Sequence, residues 1–241
     1  MSKELKIGLI IADEMEFVPL REYANNLADL RELDIFGYKG LGFTLQNGER
    51  SISVEALLCG IGKVNAATTA AYLCSRGADY VINFGLSGGI SGVSKDDIVL
   101  GSFYVETDFD LTPLGLKPAE KPGQEYIYKA DEKLLSVYNA VCPRAKTGGL
   151  STGDVFVSSE GLKKTLSEGF GVMACEMESA AAASVCHRAG VGFLSFRQIS
   201  DDAGEEAADE YTQLNDLATD TLLQIALKGL ETILSDNLID N

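Results

Sequence analysis

Carboxylates stand at several points of the sequence where they could act as acids or bases. Glu176 and Glu178 flank Met177 within an alanine-rich stretch, residues 173–186, and the propensity of alanine predicts a helix there. Glutamates are rarely fully buried unless they are paired or put to use. An acidic pair that opens a close-packed, nearly uncharged helix is therefore unusual, although it could also complement the helix macrodipole. From this stretch alone, a functional role of the acidic pair and a structural role at the helix N-terminus are equally well supported.

Other acids follow apolar runs that predict buried strands. Residues 6–12 form one such run, and Asp13, Glu14 and Glu16 come directly after it. In open α/β sheets, ligands bind beyond the carboxyl ends of the strands. Asp13 and Glu14 fit a helix N-cap and first turn, whereas Glu16 stays a candidate for chemistry. A later apolar run ends at Asp201 in the same way.

His187 is the only histidine, which limits the chemistry that the chain can perform. Zinc sites built on several histidines are excluded, and a Ser-His-Asp or Cys-His triad would depend on this one residue. Its position near the end of the alanine-rich helix favours a packed or helix-terminal imidazole. We therefore expect acid–base chemistry to depend on carboxylates, with no metal.

The composition excludes several classes of partner. A net charge of −16 argues against nucleic acid and anionic membranes, because both require a basic surface. The five cysteines form no C-x-x-C pair, and the N-terminus has no signal peptide, so we expect reduced thiols in a cytoplasmic protein. No apolar stretch is long enough to span a bilayer. Without an internal linker or repeat, residues 1–241 are predicted to form one domain.

Glycine-rich turns after predicted strands indicate backbone placed close to a small ligand. Gly60-Ile-Gly62 leads into an alanine- and threonine-rich helix, and Gly85-Leu-Ser-Gly-Gly89 follows another strand. The first turn is an incomplete dinucleotide fingerprint, because Asn65 stands where the third glycine belongs. Nicotinamide binding is therefore a distant alternative, and no cofactor is expected. The loop 107–126 holds three of the five prolines and is long enough to be functional or interfacial.

The order of the predicted elements is typical of an α/β protein. An amphipathic helix is expected to close the chain. Strands are predicted at 6–12, 35–44, 51–58, 78–85, 97–106, 146–157 and 191–200, and helices at 17–27, 130–141, 158–169, 176–187 and 214–234.

Five motifs occur in order along almost the whole chain: Gly60-Ile-Gly-Lys-Val-Asn-Ala-Ala67, Val81-Ile-Asn-Phe-Gly-Leu-Ser-Gly-Gly89, Ser151-Thr-Gly-Asp-Val-Phe156, Cys175-Glu-Met-Glu-Ser-Ala-Ala181 and Arg197-Gln-Ile-Ser-Asp201. Together they resemble the nucleoside phosphorylase/nucleosidase superfamily, and within it the 5′-methylthioadenosine/S-adenosylhomocysteine nucleosidases. The resemblance implies a mixed, partly barrel-like central sheet flanked by helices. It also implies hydrolysis of the N-glycosidic bond of the thio-nucleosides, releasing adenine and a thioribose.

The resemblance implies a role for each residue that matches a motif. Glu16 would activate the attacking water, Asp201 would protonate purine N7, and Glu178 would bind the ribose hydroxyls. The other expected contacts are Met177 beneath the sugar, Phe156 on the base, the Val157 backbone at the purine edge, Arg197 and Glu176 around the water, and Ser200, Leu86 and Tyr211.

These residue types suit the chemistry. Adenine leaves poorly as an anion, so N7 must be protonated as the bond breaks, which requires a carboxylic acid that stays protonated. The sugar becomes an oxocarbenium-like cation, which a carboxylate stabilises and water captures. A purine nucleoside phosphorylase stays an alternative. However, the acids at 13–16 would repel phosphate, and Arg21 is the one arginine near that segment. A silent nucleoside-binding protein is a further alternative.

The resemblance also implies a homodimer in which the 107–126 loop completes the neighbour's site. Leu111 and Leu114 would then line the pocket for the 5′ substituent. Leu86 stands where these nucleosidases usually have a small polar residue, and the loop begins Thr107-Asp108 where they have His-Asp. The 5′ group therefore stays open: methylthio, homocysteinyl, 5′-deoxy or a larger group as in futalosine. Adenine and hypoxanthine also both stay open as the base.

Overall fold

A computed structural model describes residues 4–213 and 216–235. Its strands all belong to one sheet. They are β1 Leu5–Ile11, β2 Arg31–Ile35, β3 Tyr38–Asn47, β4 Arg50–Leu58, β5 Tyr80–Gly89, β6 Ile98–Glu106, β7 Ile127–Lys129, β8 Lys146–Thr152, β9 Val172–Glu176 and β10 Gly192–Asp201. The helices are α1 Glu14–Ala24, α2 Lys63–Ser75, α3 Glu132–Val141, α4 Glu160–Phe170, α5 Ser179–Ala189, α6 Ala207–Thr212 and α7 Asp216–Ser235, with a 3₁₀ turn at Thr112–Leu114.

Five of the strands close into a mixed barrel. β10 runs parallel to β5 and antiparallel to β6. β6, β8 and β9 follow in parallel, and β9 returns antiparallel to β5. β1, β4, β3 and β2 extend from β5 as an open wing, and β7 pairs with the C-terminal part of β6. The predicted mixed, partly barrel-like sheet with flanking helices is confirmed.

The core follows from the apolar runs of the sequence. Leu9, Ile10 and Ile11 of β1 are fully buried because helices cover both faces of the parallel strands. Helices α2 and α5 pack side by side, and buried alanines such as Ala70 and Ala182 allow their close approach. This pairing places the N-termini of α2 and α5 beside the carboxyl ends of the central strands.

The helix predicted at 176–187, in the alanine-rich stretch 173–186, does not begin at Glu176. Val172–Glu176 is strand β9, and α5 begins only at Ser179. Pairing with β5 and β8 inside the barrel holds this segment extended, which overrides the helix propensity of its alanine and methionine. Glu176 therefore ends a strand and Glu178 is the N-cap residue, so neither glutamate lies in the first turn of the helix.

Other differences concern boundaries and short strands. The pattern missed β2 and β7, and the predicted strand 146–157 ends at Thr152. Helix α1 spans Glu14–Ala24 rather than 17–27, and the interpretation of Asp13 as its N-cap is confirmed. The predicted start of the closing helix, Leu214, lies outside the described residues. In the part of the chain that the structure describes, no helix is both long and apolar enough to cross a membrane.

Candidate active site

A cavity opens at the carboxyl ends of β1, β5 and β10, beside the N-termini of α1 and α5. It holds about 740 Å³ of empty space, part of it open to solvent, which is the size range of small-ligand pockets. Most of the residues expected at the site line this one cavity: Glu16, Leu86, Phe156, Val157, Glu176, Met177, Glu178, Arg197, Ser200, Asp201 and Tyr211.

Glu16 reaches the cavity from the first turn of α1. Asp13 caps this helix through its side chain, and its own N–H donates to Glu16 Oε2 at 3.3 Å. The other oxygen, Oε1, accepts from the Leu86 backbone N–H at 2.7 Å. Burial raises the pKa of Glu16 from 4.5 to about 7, against the lowering effects of the Leu86 N–H and of Arg197. The carboxyl group can therefore change its protonation state near neutral pH.

Asp201 ends β10 on another wall of the cavity. Its Oδ2 accepts from the Ser200 hydroxyl at 2.7 Å, and its Oδ1 accepts from the Ala203 N–H at 2.9 Å. Burial raises the pKa of Asp201, although the hydrogen bond from Ser200 opposes that shift. The Ser87 carbonyl is a second acceptor for the Ser200 hydroxyl, at 3.2 Å. Because the hydroxyl has one proton, it can donate to Asp201 or to Ser87 but not to both at once.

Glu178 occupies the N-cap position of α5, where the chain leaves the strand. Its Oε1 accepts from the Gly62 N–H at 2.9 Å, and its Oε2 lies 3.3 Å from Arg197 Nη1. Burial raises the pKa of Glu178, Arg197 opposes this shift, and the nearby Glu176 adds to it. Glu178 is thus a buried acid with fixed partners on the cavity wall.

Arg197 is fully buried behind the carboxylates and connects them. Its Nη2 contacts Glu176 Oε2 at 2.6 Å. Glu176 Oε2 also accepts the backbone N–H groups of Glu178 and Ser179, each at 2.8 Å. Because every polar atom of this pair has a partner, the group is a rigid support rather than a solvated ion pair. Met177 lies between the two glutamates and lines the cavity.

The sequence analysis did not single out the polar residues that hold Arg197 from behind. Asn83 accepts from Arg197 Nη2 and donates to the Ile10 carbonyl at 2.9 Å. Ser195 accepts from Arg197 Nε at 3.2 Å, and Thr152 donates to Glu176. All three are buried. The sequence did contain one signal: Asn83 stands inside an apolar strand, and a buried amide needs several hydrogen-bond partners, so a buried polar network could have been predicted there.

Aromatic and apolar residues form the outer part of the cavity. The rings of Phe156 and Tyr211 meet edge to face, with centroids 5.9 Å apart. Phe156 is 46% exposed, whereas Leu86 and Val157 are buried. Burial raises the pKa of Tyr211 to about 12, with further contributions from Glu16 and other acids, so its hydroxyl stays neutral.

Leu111 and Leu114 do not line the cavity of their own chain. They belong to the loop after β6, where Leu114 is 76% exposed at the end of the 3₁₀ turn. Their expected place was the site of a neighbouring subunit, so this arrangement leaves that prediction untested.

The arrangement places three buried acids with raised pKa values, Glu16, Glu178 and Asp201, on one cavity. Carboxyl groups with raised pKa values suit both proton donation and proton removal. Among the lining residues that the structure describes, Arg197 is the one cation, and carboxylates already engage it. No group of three or more His, Cys, Asp or Glu side chains in the described residues is arranged to hold a metal ion.

Comparisons with known proteins agree with this architecture. Residues 6–233 match the model of the Phosphorylase superfamily. The chain is 34% identical over 222 residues to a 5′-methylthioadenosine/S-adenosylhomocysteine nucleosidase of Geobacillus sp. (strain WCH70), which covers 89% of this chain and 93% of the relative. The chain belongs to the 5′-methylthioadenosine/S-adenosylhomocysteine nucleosidase family. A relative of the same description from Exiguobacterium sp. is 33% identical over 238 residues, covering 94% of this chain and 99% of its own.

The solved structures that resemble this chain include a nucleosidase of the same family and an enzyme with a different substrate. An S-adenosylhomocysteine nucleosidase of Streptococcus pyogenes, in complex with 5-methylthiotubericidin, has a TM-score of 0.86 at 30% identity and covers 97% of this chain and 98% of its own. The futalosine hydrolase of Helicobacter pylori also has a TM-score of 0.86, at 26% identity, covering 94% of this chain and 97% of its own. The resemblance inferred from the five motifs is therefore confirmed.

Proposed function

We propose that this protein hydrolyses the N-glycosidic bond of 5′-methylthioadenosine and S-adenosylhomocysteine, releasing adenine and a thioribose. The observation that carries the proposal is the convergence of Glu16, Glu178 and Asp201 on one cavity, in a chain whose family relatives are described as nucleosidases for these compounds. Residues 1–241 would act as one domain.

In the proposed reaction, Asp201 donates a proton to purine N7 while the bond between C1′ and N9 breaks. Adenine then leaves neutral, and the sugar becomes an oxocarbenium-like cation. Glu16 takes a proton from the water that attacks C1′, so the sugar gains a hydroxyl group. Glu178 holds the ribose hydroxyls, and its negative charge stabilises the cation.

The remaining lining residues bind and orient the nucleoside in this proposal. Met177 packs beneath the sugar, and Phe156 stacks on the base with Tyr211 at its edge. The backbone of Val157 reads the purine edge, and Ser200 fixes Asp201. Arg197 and Glu176 orient Glu178 and the water, and Leu86 presents its N–H to Glu16.

The nucleophile is proposed to be water rather than phosphate. Arg21, the arginine nearest in sequence to the end of the first strand, pairs with Glu14 at 2.6 Å and lies over the Phe17 ring, 5.2 Å from its centroid. The cavity itself is lined by acids, which repel a phosphate anion. Both observations favour a hydrolase over a phosphorylase.

Futalosine hydrolysis is the second candidate. It is supported by the structural similarity to the Helicobacter pylori futalosine hydrolase, which is as high as that to the Streptococcus pyogenes nucleosidase. The two functions differ in the 5′ substituent and the base, while the bond that breaks is the same.

We further propose a homodimer in which the 107–126 loop of one subunit completes the site of the other. Leu111 and Leu114 would then contact the 5′ substituent of the neighbour's substrate. The exposure of Leu114, 76%, supports this, because a large apolar side chain gains from being covered by a partner.

Chromatographic product analysis tests the function directly. The purified protein is incubated with methylthioadenosine, S-adenosylhomocysteine, adenosine, inosine and futalosine, each with and without phosphate. We expect adenine from the thio-nucleosides at a rate that phosphate does not change. Phosphate-dependent release would instead show a phosphorylase, and release from futalosine alone would select the second candidate.

A further inference from the structure

Two loops of the cavity meet at the start of α2. The Gly62 N–H holds Glu178, and the next backbone N–H, that of Lys63, donates to Asp154 Oδ1 at 2.9 Å. Gly62 has a φ of 103°, and a Cβ added to it would lie 3.1 Å from Asp154 Oδ1. Glycine is therefore required where the segment that carries Asp154 approaches the glycine turn.

Asp108 closes a ring around this meeting point. Its Oδ2 accepts from the Asp154 backbone N–H at 3.0 Å, and its Oδ1 accepts from Lys63 Nζ at 2.6 Å. Lys63, Asp108 and Asp154 thus hold one another through three hydrogen bonds, two of them to backbone groups. We call these three residues the bridge.

The bridge is partly shielded from solvent. The side chains of Lys63 and Asp108 are 19% and 27% exposed. Glu106 Oε2 lies 3.6 Å from Lys63 Nζ, and Glu106 also pairs with Lys121 from the far part of the loop. Shielded pairs in a network are screened less by salt than isolated surface pairs, so the bridge is a stable connection between loops.

We propose that Asp108 and Asp154 are positioning residues for substrate binding. Through the bridge they fix the segment that carries Phe156 and Val157 against the glycine turn that holds Glu178. The inference rests on the proposed function, in which the first segment binds the base and Glu178 binds the ribose. The bridge therefore sets the distance between the subsites for base and sugar.

The position of the bridge predicts which kinetic constant depends on it. Asp154 is two residues before Phe156, and Lys63 follows Gly62, so both ends act on groups that bind the nucleoside. Glu16 and Asp201, the proposed base and acid, belong to α1 and β10. Their hydrogen bonds join them to residues outside the bridge: Leu86, Asp13, Ser200 and Ala203. Loss of the bridge should therefore raise KM more than it lowers kcat.

Asp97 provides a matched control for Asp108. It too accepts from a lysine Nζ, that of Lys146 at 2.7 Å, and from a backbone N–H, that of Ser94 at 2.7 Å. Its side chain is 31% exposed, close to the 27% of Asp108. However, it precedes β6 whereas Asp108 follows it, and nine extended residues separate the two by about 30 Å.

The experiment compares Asp108→Ala with Asp97→Ala in hydrolysis of methylthioadenosine. We expect Asp108→Ala to raise KM about 10-fold and to lower kcat less than about 3-fold, while Asp97→Ala changes KM by less than about 2-fold. Asp154→Ala should act like Asp108→Ala, and Asp154→Asn should restore KM because its amide oxygen can still accept from Lys63. Equal KM values in Asp108→Ala and Asp97→Ala would overturn the proposal, as would an Asp154→Asn variant no better than Asp154→Ala.

A fluorescence measurement separates this inference from the proposed function. The chain has no tryptophan, so Phe156→Trp places a single reporter on the base segment. Adding Asp108→Ala should increase acrylamide quenching of this tryptophan, and adding Asp97→Ala should not. Hydrolysis is measured in the chain that keeps Phe156. Increased quenching of the tryptophan, together with no nucleoside hydrolysis by the Phe156 chain, would refute the function but keep the bridge. Hydrolysis with unchanged quenching and unchanged KM would refute the bridge alone.

Discussion

At the scale of single residues, Asp201 is the group whose removal should separate binding from chemistry. Asp201→Asn keeps the shape of the side chain but cannot donate an acidic proton to N7, so kcat should fall at least about 100-fold. Substrate affinity, measured by calorimetry, should change little. Asp202→Asn is the matched control, because Asp202 is an exposed neighbour whose carboxylate accepts from the Gly204 N–H at 2.8 Å. Near-normal turnover in Asp201→Asn would refute its assignment as the acid.

The raised pKa of Glu16 predicts how the free energy of unfolding changes with pH. Its pKa is raised from 4.5 to about 7 in the folded protein, so between these pH values the unfolded chain loses the proton first. The unfolded state then binds fewer protons, and the free energy of unfolding falls as pH rises from about 4.5 to 7. Glu16→Gln removes this penalty. It should therefore stabilise the fold at pH 8 by about 1–3 kcal/mol and lose that advantage near pH 4.

Urea unfolding of wild type and Glu16→Gln at the two pH values measures this effect. The same variant should fail to hydrolyse nucleosides while it still binds them. A Glu16→Gln protein that is no more stable than wild type at pH 8 would contradict the raised pKa.

At the scale of elements, the close contact of β5 with α1 depends on Gly85. A Cβ at this position would lie 2.7 Å from Glu16 Oε1 and 3.0 Å from Arg197 Nη1. Gly85→Ala should therefore displace the two groups and lower kcat/KM at least about 100-fold. Gly42→Ala is the control from another strand, since the atoms nearest to its Cβ would belong to the flexible end of Arg31, at 3.3 Å and beyond. Activity of Gly85→Ala at the level of Gly42→Ala would contradict this account.

Much of the element order and most of the cavity could be predicted from the sequence. Uninterrupted apolar runs predicted β1 and β5, and motif order predicted which acids would meet. The prediction failed for β9, where local propensity and long-range pairing disagree. Alanine and methionine in 173–176 favour a helix, but pairing with β5 and β8 inside the barrel makes that segment a strand. Asn83 was missed for a related reason, because its partners come from Ile10 and Arg197, far apart in sequence.

At the scale of the whole molecule, the proposed dimer predicts that two defective chains can repair each other. Glu16→Gln damages the site of its own chain, whereas Leu114→Asp would damage the loop that its neighbour receives. In a mixed dimer, the Leu114→Asp site receives an intact loop from the Glu16→Gln chain. One of the two sites of a mixed dimer is then intact, so purified mixed dimers should recover about half of wild-type activity, whereas each variant alone stays poorly active.

Co-expression with two affinity tags, followed by a kinetic assay of the mixed dimers, performs this test. Sedimentation should give about twice the 25.7 kDa mass of one chain. No recovery in mixed dimers would show that the loop serves its own chain.

The excess of carboxylates around Arg197 has a consequence for competition among ligands. Glu16, Glu176 and Glu178 surround one guanidinium, and Asp13 and Asp201 also line the cavity. Adenine nucleotides present the same base and sugar as the proposed substrates, but their phosphates would have to give up water to enter a negative field. The abundant nucleotide pool should therefore neither occupy nor be degraded by this site. The same acids that stabilise a sugar cation make the protein selective for nucleosides without phosphate.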